Sequence, residues 1–417
     1  MLEHDALAAD LRGNAFGQRR REPRPPTLGA EVELIPVDAE TRAVVPITAD
    51  EGRSTLPFLR GFARRCGWKE TASDYGMPNW LLPDGGTITF EPGGQIELSA
   101  PPFRSASALL TSLRQTVHPL VRDARDEGIE LLGVGIDPVN AVDDIPLQLP
   151  GKRYVRLTRF LEECGGGGTR MMRQTASFQC NLDWGADAFG RWRFLNALAP
   201  YATAVFANSP VYRGEDTGER SFRARVWREL GGGRTGIFPC GDDPVGEYLR
   251  FALDAPAILI AREHEGWPSF GEWNARGEVG MEEWRTHLTT LFPDVRPKGF
   301  AEMRAADAVA AEWYAAPVAF FGGLTYHSAS FQAAAELVGA PDPALLVRAG
   351  REGLRDERIA AVSRDLFALA LEGAAALGPA FLCPADLEEA RAFFDTYTAR
   401  ALAPADDVRV PEPASAD

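Results

Sequence analysis

Four short segments follow the two-residue period of a β-strand, yet the face that should be neutral or mixed carries acids and amides. In TLGAEVELIP, Glu31 and Glu33 point one way and Val32 and Leu34 the other, which sets two carboxylates about 7 Å apart along one face. In TITFEPGGQIELS, two strand pieces flank a Pro-Gly-Gly turn; Gln95, Glu97 and Ser99 share a face and Glu91 stands at the turn's other lip. SFQCNLDW aligns Gln179, Asn181 and Asp183, and GFAEMRAAD sets Glu302 beside Arg304. Any one of these alone reads as a solvated strand. Gathered on one sheet, the acids need positive charge in return, and a hard divalent cation is the usual source. Carboxylate and amide oxygens suit Mg²⁺, with Mn²⁺ an alternative, whereas zinc would want histidine or cysteine. The five histidines are scattered and form no HExxH.

A site that handles phosphate also needs cations, and arginine's fork of N–H donors suits that task. Arg173 precedes the Gln179 strand, Arg223 lies in FRARVW, Arg234 in GGGRTGIFP, and Lys298 and Arg304 flank Glu302. There is no GxxxxGK[ST] and no GxGxxG between strand and helix, so P-loop and Rossmann nucleotide sites are disfavoured. A nucleotide would have to be held by metal and arginines on the sheet. The glycine stretches ECGGGGTR and ELGGGRTG read as active-site loops.

Composition narrows the class. With 417 residues, 45% apolar and 25% charged, the chain is expected to fold as an ordinary globular protein. The net charge of −15 disfavours nucleic acid and anionic membrane as partners. Five widely spaced cysteines without a CxxC, and no signal peptide or long apolar run, point to a reducing cytoplasm. Residues 1–26, ending in QRRREPRPP, read as a flexible arm, and 403–417 as a disordered tail. Between them lies one expected catalytic domain, 27–402. Strand-like segments and helices fill 27–327, and an Ala/Leu-rich helical part fills 328–402.

Six ordered blocks carry a resemblance: TLGAEVEL, ITFEPGGQIELSAPP, MMRQTASFQCNLDW, FANSPVYRGEDTGERSFRARVW, RTGIFP and HLTTLFPDVRPKGFAEMRAAD. Together they resemble the plant and proteobacterial glutamate–cysteine ligases, whose catalytic fold is similar to that of glutamine synthetase. The resemblance implies an α+β fold: a curved, mainly antiparallel sheet forming the active-site face, backed by helices, with a C-terminal helical cluster. It implies that Glu31, Glu33, Glu91, Glu97 and Glu302 bind metal, and that Arg304 and Glu97 are catalytic, Arg304 by steadying the transferred phosphoryl group. Arg173 and Arg234, with Arg223, would bind substrate, and Lys298, Arg304, Gln179 and Asn181 the nucleotide. The implied reaction joins the γ-carboxylate of L-glutamate to the amine of L-cysteine through an acyl phosphate, with ATP as cosubstrate, in a monomer or homodimer. Three alternatives stay open: another amine acceptor or a supply of γ-glutamylcysteine for ergothioneine, a noncatalytic nucleotide-binding regulator, and a metal-dependent hydrolase.

Overall fold

β1 (Leu28–Asp38) is the spine of the molecule, because it is long enough to pair with three other strands. The computed structural model describes residues 1–17, 26–164, 167–260, 262 and 266–409. After β1 come β2 (Lys69–Thr71), β3 (Asn79–Leu81), β4 (Thr87–Phe90), β5 (Ile96–Ser99), β6 (Ile129–Leu132) and β7 (Ser177–Leu182). Two small ribbons follow, β8 (Val211–Tyr212) with β9 (Glu215–Asp216), and β10 (Thr235–Gly236) parallel to β11 (Phe292–Pro293). β12 (Val295–Pro297) and β13 (Ala301–Asp307) complete a nine-stranded sheet of order β12-β13-β7-β1-β5-β4-β3-β2, with β6 on the far half of β1. Every pairing in it is antiparallel, as expected.

The sheet has one apolar and one polar face. Val32, Leu34, Ile88, Phe90, Ile96, Leu98, Phe178, Cys180 and Leu182 are buried on the first. Strict alternation then forces the acids between them onto the second.

Helices cover the apolar face. α1 (His4–Asp10) runs into a π-helical turn at Leu11–Ala15. It buries Leu7 and Leu11, and Phe16 follows with its ring against Trp184, Trp192 and Tyr248. The expected loose arm is therefore corrected for residues 4–16: their apolar side chains dock them to the core, and residues 18–25 lie outside the described residues. α2 (Thr55–Cys66) and α3 (Ala106–Asp126) come next; Ser105 caps α3, and Leu109, Leu113, Val117, Leu120 and Ala124 form its buried stripe. α4 (Lys152–Cys164), α5 (Gly168–Gln174), α6 (Ala188–Val205) and α7 (Phe222–Arg228) follow, then α8 (Pro244–Asp254), α9 (Phe270–Ala275) and α10 (Met281–Leu288). α6 lies on β13, and α3 on β1 and β6.

α11 (Ala315–Tyr326) is apolar on all sides, and its residues from Ala315 to Thr325 are all buried, the mark of a central helix. It packs on β7 and is wrapped by α12 (Ser328–Val338), α14 (Glu357–Ala376) and α15 (Pro384–Thr396), while α13 (Pro343–Glu352) packs on α6. A Cβ at Gly323 would stand 2.1 Å from the Ala370 carbonyl oxygen, so only glycine lets α14 approach this closely. The expected disordered tail is corrected for residues 403–409. Pro404–Asp406 forms a 3₁₀ turn, the Ala405 N–H donates to the Ala207 carbonyl at 2.8 Å, and Arg220 reaches Asp406 at 2.6 Å. Residues 410–417 lie outside the described residues. Among the described residues no helix is long and apolar enough to cross a membrane.

Candidate active site

Register brings the acids side by side. Glu33 of β1 pairs with Glu97 of β5, and Glu31 sits between Ser99 of β5 and Gln179 of β7. Asn181, one pair further along β7, stands opposite Glu302 of β13. Glu91 follows β4, and the Pro-Gly-Gly turn folds it back beside Glu97: its N–H donates to the Gln95 carbonyl and its carbonyl accepts the Gly94 N–H, both at 2.8 Å. Gly94 holds φ at +94°, and a Cβ at Gly93 would lie 2.0 Å from the Arg173 carbonyl oxygen, so both positions need glycine. Gln95 locks the turn to the C-terminus of α5 by donating to the Thr175 carbonyl at 2.9 Å. Gln148 donates to the Gly93 carbonyl at 2.6 Å.

These groups floor a cavity of about 240 Å³. Its opposite wall comes from α4 (Arg153, Tyr154, Leu157), α5 (Met171, Met172), Trp227 of α7, and Thr289 and Phe292; Arg296 and Lys298 of β12 and its following turn close one end.

Charge divides the cavity. At the β13 end, Glu302 is fully buried; Lys298 Nζ and Arg304 Nη1 each lie 2.7 Å from its oxygens, and Arg296 Nη1 lies at 3.5 Å. Burial works to raise its pKa, but Arg304, Arg296 and Lys298 together outweigh burial and hold the carboxyl well below its usual range. Arg304 also donates to Gln179 Oε1 at 2.6 Å. At the β4–β5 end the acids face one another. Burial, then Glu302 and Glu97, push Glu31 up to about 7. Burial, then Glu97 and Glu33, push Glu91 well above its ordinary value, and burial, then Glu33, raise Glu97. Burial also raises Glu33, although Arg223 and Arg304 oppose it and its oxygens accept from the Ser177 N–H at 2.6 Å and Gln179 Nε2 at 3.1 Å.

A hard divalent cation fits the donor set at this end: four carboxylates from three adjacent strand segments, whose charge Arg223, Arg304 and Lys298 offset only in part. Among the described residues no three acidic, histidine or thiol groups are gathered around one point. The fit rests on donor chemistry and unbalanced charge. Glu302 differs from the other four in having lysine and arginine directly against it, although it lines the same cavity and its charge acts on Glu31.

The remaining expected residues divide. Lys298, Arg304 and Gln179 line the cavity. Asn181 does not; its amide donates to Glu31 Oε1 at 3.1 Å and orients that acid. Three arginines expected at the substrate lie elsewhere. Arg234 has no exposed surface; it donates to the carbonyls of Thr290 at 2.8 Å and Pro256 at 2.9 Å and sits 4.5 Å from the Phe160 ring centroid. Burial lowers it to about 10. It ties the loop before β11 to its neighbours. Arg173 turns away from the floor toward the Ile145 carbonyl (3.5 Å) and Glu162 (3.7 Å). Arg223 is buried behind Arg304. In exchange the cavity recruits Arg153 and Arg296, which clasp Thr289 from two sides: Arg153 donates to its hydroxyl at 2.7 Å and its carbonyl at 2.8 Å, and Arg296 to the same carbonyl at 3.2 Å. Arg296 was legible, because it shares a strand face with Lys298 two residues on. Arg153, Tyr154 and Trp227 ride on helices and carried no local signal. Of the glycine stretches, residues 165–166 lie outside the described residues, Gly168 opens α5, and 231–233 form the turn that leads into Arg234.

The profile of glutamate–cysteine ligase family 2 matches residues 27–391. Chloroplastic glutamate–cysteine ligase B of rice (Oryza sativa subsp. japonica) is 32% identical over 326 residues, covering 74% of this chain and 64% of that protein. A glutamate–cysteine ligase of Mycolicibacterium smegmatis is 34% identical over 342 residues, 78% of each chain. The chain thus spans just under two thirds of the rice proteins' length, 64% and 65% for two of them. A solved glutamate–cysteine ligase from Francisella tularensis, in complex with AMP, aligns over 93% of this chain and 84% of that one at 13% identity and a TM-score of 0.48. The profile match and the 32–34% identity of these relatives establish that the chain belongs to glutamate–cysteine ligase family 2.

Proposed function

We propose that this chain is an ATP-dependent ligase that joins the γ-carboxylate of L-glutamate to the amine of L-cysteine. The observation that carries the reading is the division of one cavity into an acidic end, Glu31, Glu33, Glu91 and Glu97, and a cationic end, Lys298, Arg296 and Arg304. Phosphoryl transfer asks for this pairing, since the protein contributes in-line positioning and charge stabilisation and little covalent chemistry. The names of the relatives, all glutamate–cysteine ligases, support the choice of substrates.

A bound Mg²⁺ or Mn²⁺ would neutralise the nucleotide phosphates at Glu31, Glu33, Glu91 and Glu97. An oxygen of the glutamate γ-carboxylate forms a bond to the γ-phosphorus as the bond to ADP breaks. The cysteine amine, having lost its proton, then attacks the acyl carbon and phosphate departs. Arg304, Lys298 and Arg296 face the phosphoryl group, and Glu302 holds those three cations in one place. Gln179 fixes Arg304 by accepting its N–H. Five unpaired cysteines, two of them exposed, fit a reducing compartment such as the cytoplasm. A family member with another amine acceptor would share the same floor, so the acceptor has to be read from products.

The test is mass analysis of products from ATP, Mg²⁺, glutamate and a mixture of amino acids. The expected product is γ-glutamylcysteine with one ADP and one phosphate formed per bond. A different γ-glutamyl adduct would replace the acceptor, and ADP formation that ignores glutamate would overturn the reading.

A further inference from the structure

Arg304 sits on a β-bulge. Met303 pairs with Cys180 and Ala306 with Phe178, so Arg304 and Ala305 together oppose the single residue Gln179. A bulge takes a residue out of the ladder and re-aims its side chain. On its other edge Arg304 continues the β12 register, its N–H donating to the Asp294 carbonyl at 2.9 Å, and there its carbonyl accepts from Arg223 Nη2 at 2.9 Å. The Trp227 ring lies against both guanidiniums, its centroid 5.0 Å from Arg304 Cζ and 5.3 Å from Arg223 Cζ. Arg223 and Trp227 both belong to α7, which is pinned to β13 on the far side of the bulge. Ser221 caps α7 by accepting the Ala224 N–H at 3.1 Å and donates to Asp307 Oδ1 at 2.8 Å. Ser209 donates to Asp307 Oδ2 at 2.7 Å and accepts the Arg223 N–H at 3.1 Å. All of these groups lie outside the acidic end of the cavity.

We propose that Arg223 and Trp227 are positioning residues: Arg223 holds the bulged main chain and Trp227 the guanidinium, so that Arg304 points at the phosphoryl group. This rests on the ligase reading. The ring face favours the cation and limits its rotamers, and Arg223 closes the bulge with a charge-assisted bond. Arg223 thus reaches the phosphoryl group through Arg304.

A double-mutant cycle of Trp227→Leu and Arg304→Ala, read in glutamate-dependent ADP formation and in urea unfolding, tests this. Trp227→Leu should lower kcat about 100-fold with little change in the glutamate KM. Trp227→Phe, which keeps a ring face, should recover most of that, and Trp227→Leu should cost nothing further once Arg304 is alanine. Arg223→Lys, which keeps charge but not the fork, should lower kcat in the same pattern. Equal losses in both backgrounds, or a phenylalanine no better than leucine, would overturn the proposal. If the wild type forms no ADP with glutamate, the ligase reading fails, and the unfolding cycle still decides: coupling between the two residues supports positioning, and additive effects reject it.

Discussion

Glu302 and Glu31 are the same side chain on the same sheet face, two strands apart, with opposite electrostatic fates. Three cations crowd Glu302 and keep it ionised, whereas Glu31 meets other acids and is pushed up to about 7. Burial acts on both in the same direction, so the difference is made by neighbours alone. One end of the cavity is finished, with its charge paired inside the protein, and the other stays strained until a cation arrives.

Breaking the unfinished end should have the largest effect. Glu97→Gln is expected to lower Mg²⁺- and glutamate-dependent ADP release by about 1,000-fold or more, while raising the metal-free unfolding temperature at neutral pH, because an acid that burial and Glu33 penalise whenever it ionises is gone. Lost turnover with lowered stability would instead make Glu97 a structural acid. At the finished end, Glu302→Gln strands three cations and should cost about 3 kcal/mol of unfolding free energy, read by urea titration; a neutral result would show that the cations do not depend on it.

The pH dependence sharpens the same contrast. The folded value for Glu31 lies above its unfolded value of 4.5, so between 4.5 and about 7 the folded state binds the extra proton. Stability from this group is therefore full below 4.5 and lost as pH rises through 7, at most about 3 kcal/mol. Metal-free melting temperatures should fall from pH 5 to pH 8, and Mg²⁺ should restore more at pH 8 than at pH 5. The smallest effect belongs to neither end: Arg234→Ala should lower stability by about 2 kcal/mol and leave the glutamate KM within about twofold. A large KM change would return Arg234 to the substrate site.

The acid row was legible because a strand's side-chain period is two, and four separate segments each declared a face. The apolar back of the sheet was legible for the same reason, but α11 was not, because a helix apolar on all sides carries no periodic stripe. The arginines were not. Arg234 stands in a glycine-rich turn beside a strand, as a cavity residue would, but Phe160, Thr290 and Pro256 come from distant segments and draw it inward. Arg304 was expected beside Glu302 and lines the cavity, yet its bulge breaks the alternation used to place it. Arg153 and Trp227 approach through helices whose packing angle no local pattern encodes. At the N-terminus, charge and proline at 19–26 drew attention away from Leu7, Leu11 and Phe16, which dock the preceding helix.

The account turns on the acidic end carrying protons that a divalent cation displaces. Calorimetric titration of Mg²⁺ into the metal-free protein at pH 7, repeated in buffers of different ionisation enthalpy, measures that release directly. About one proton should leave for each cation bound, and fewer should leave in Glu97→Gln. Mg²⁺ binding without proton release, or with the same release in the variant, would contradict it.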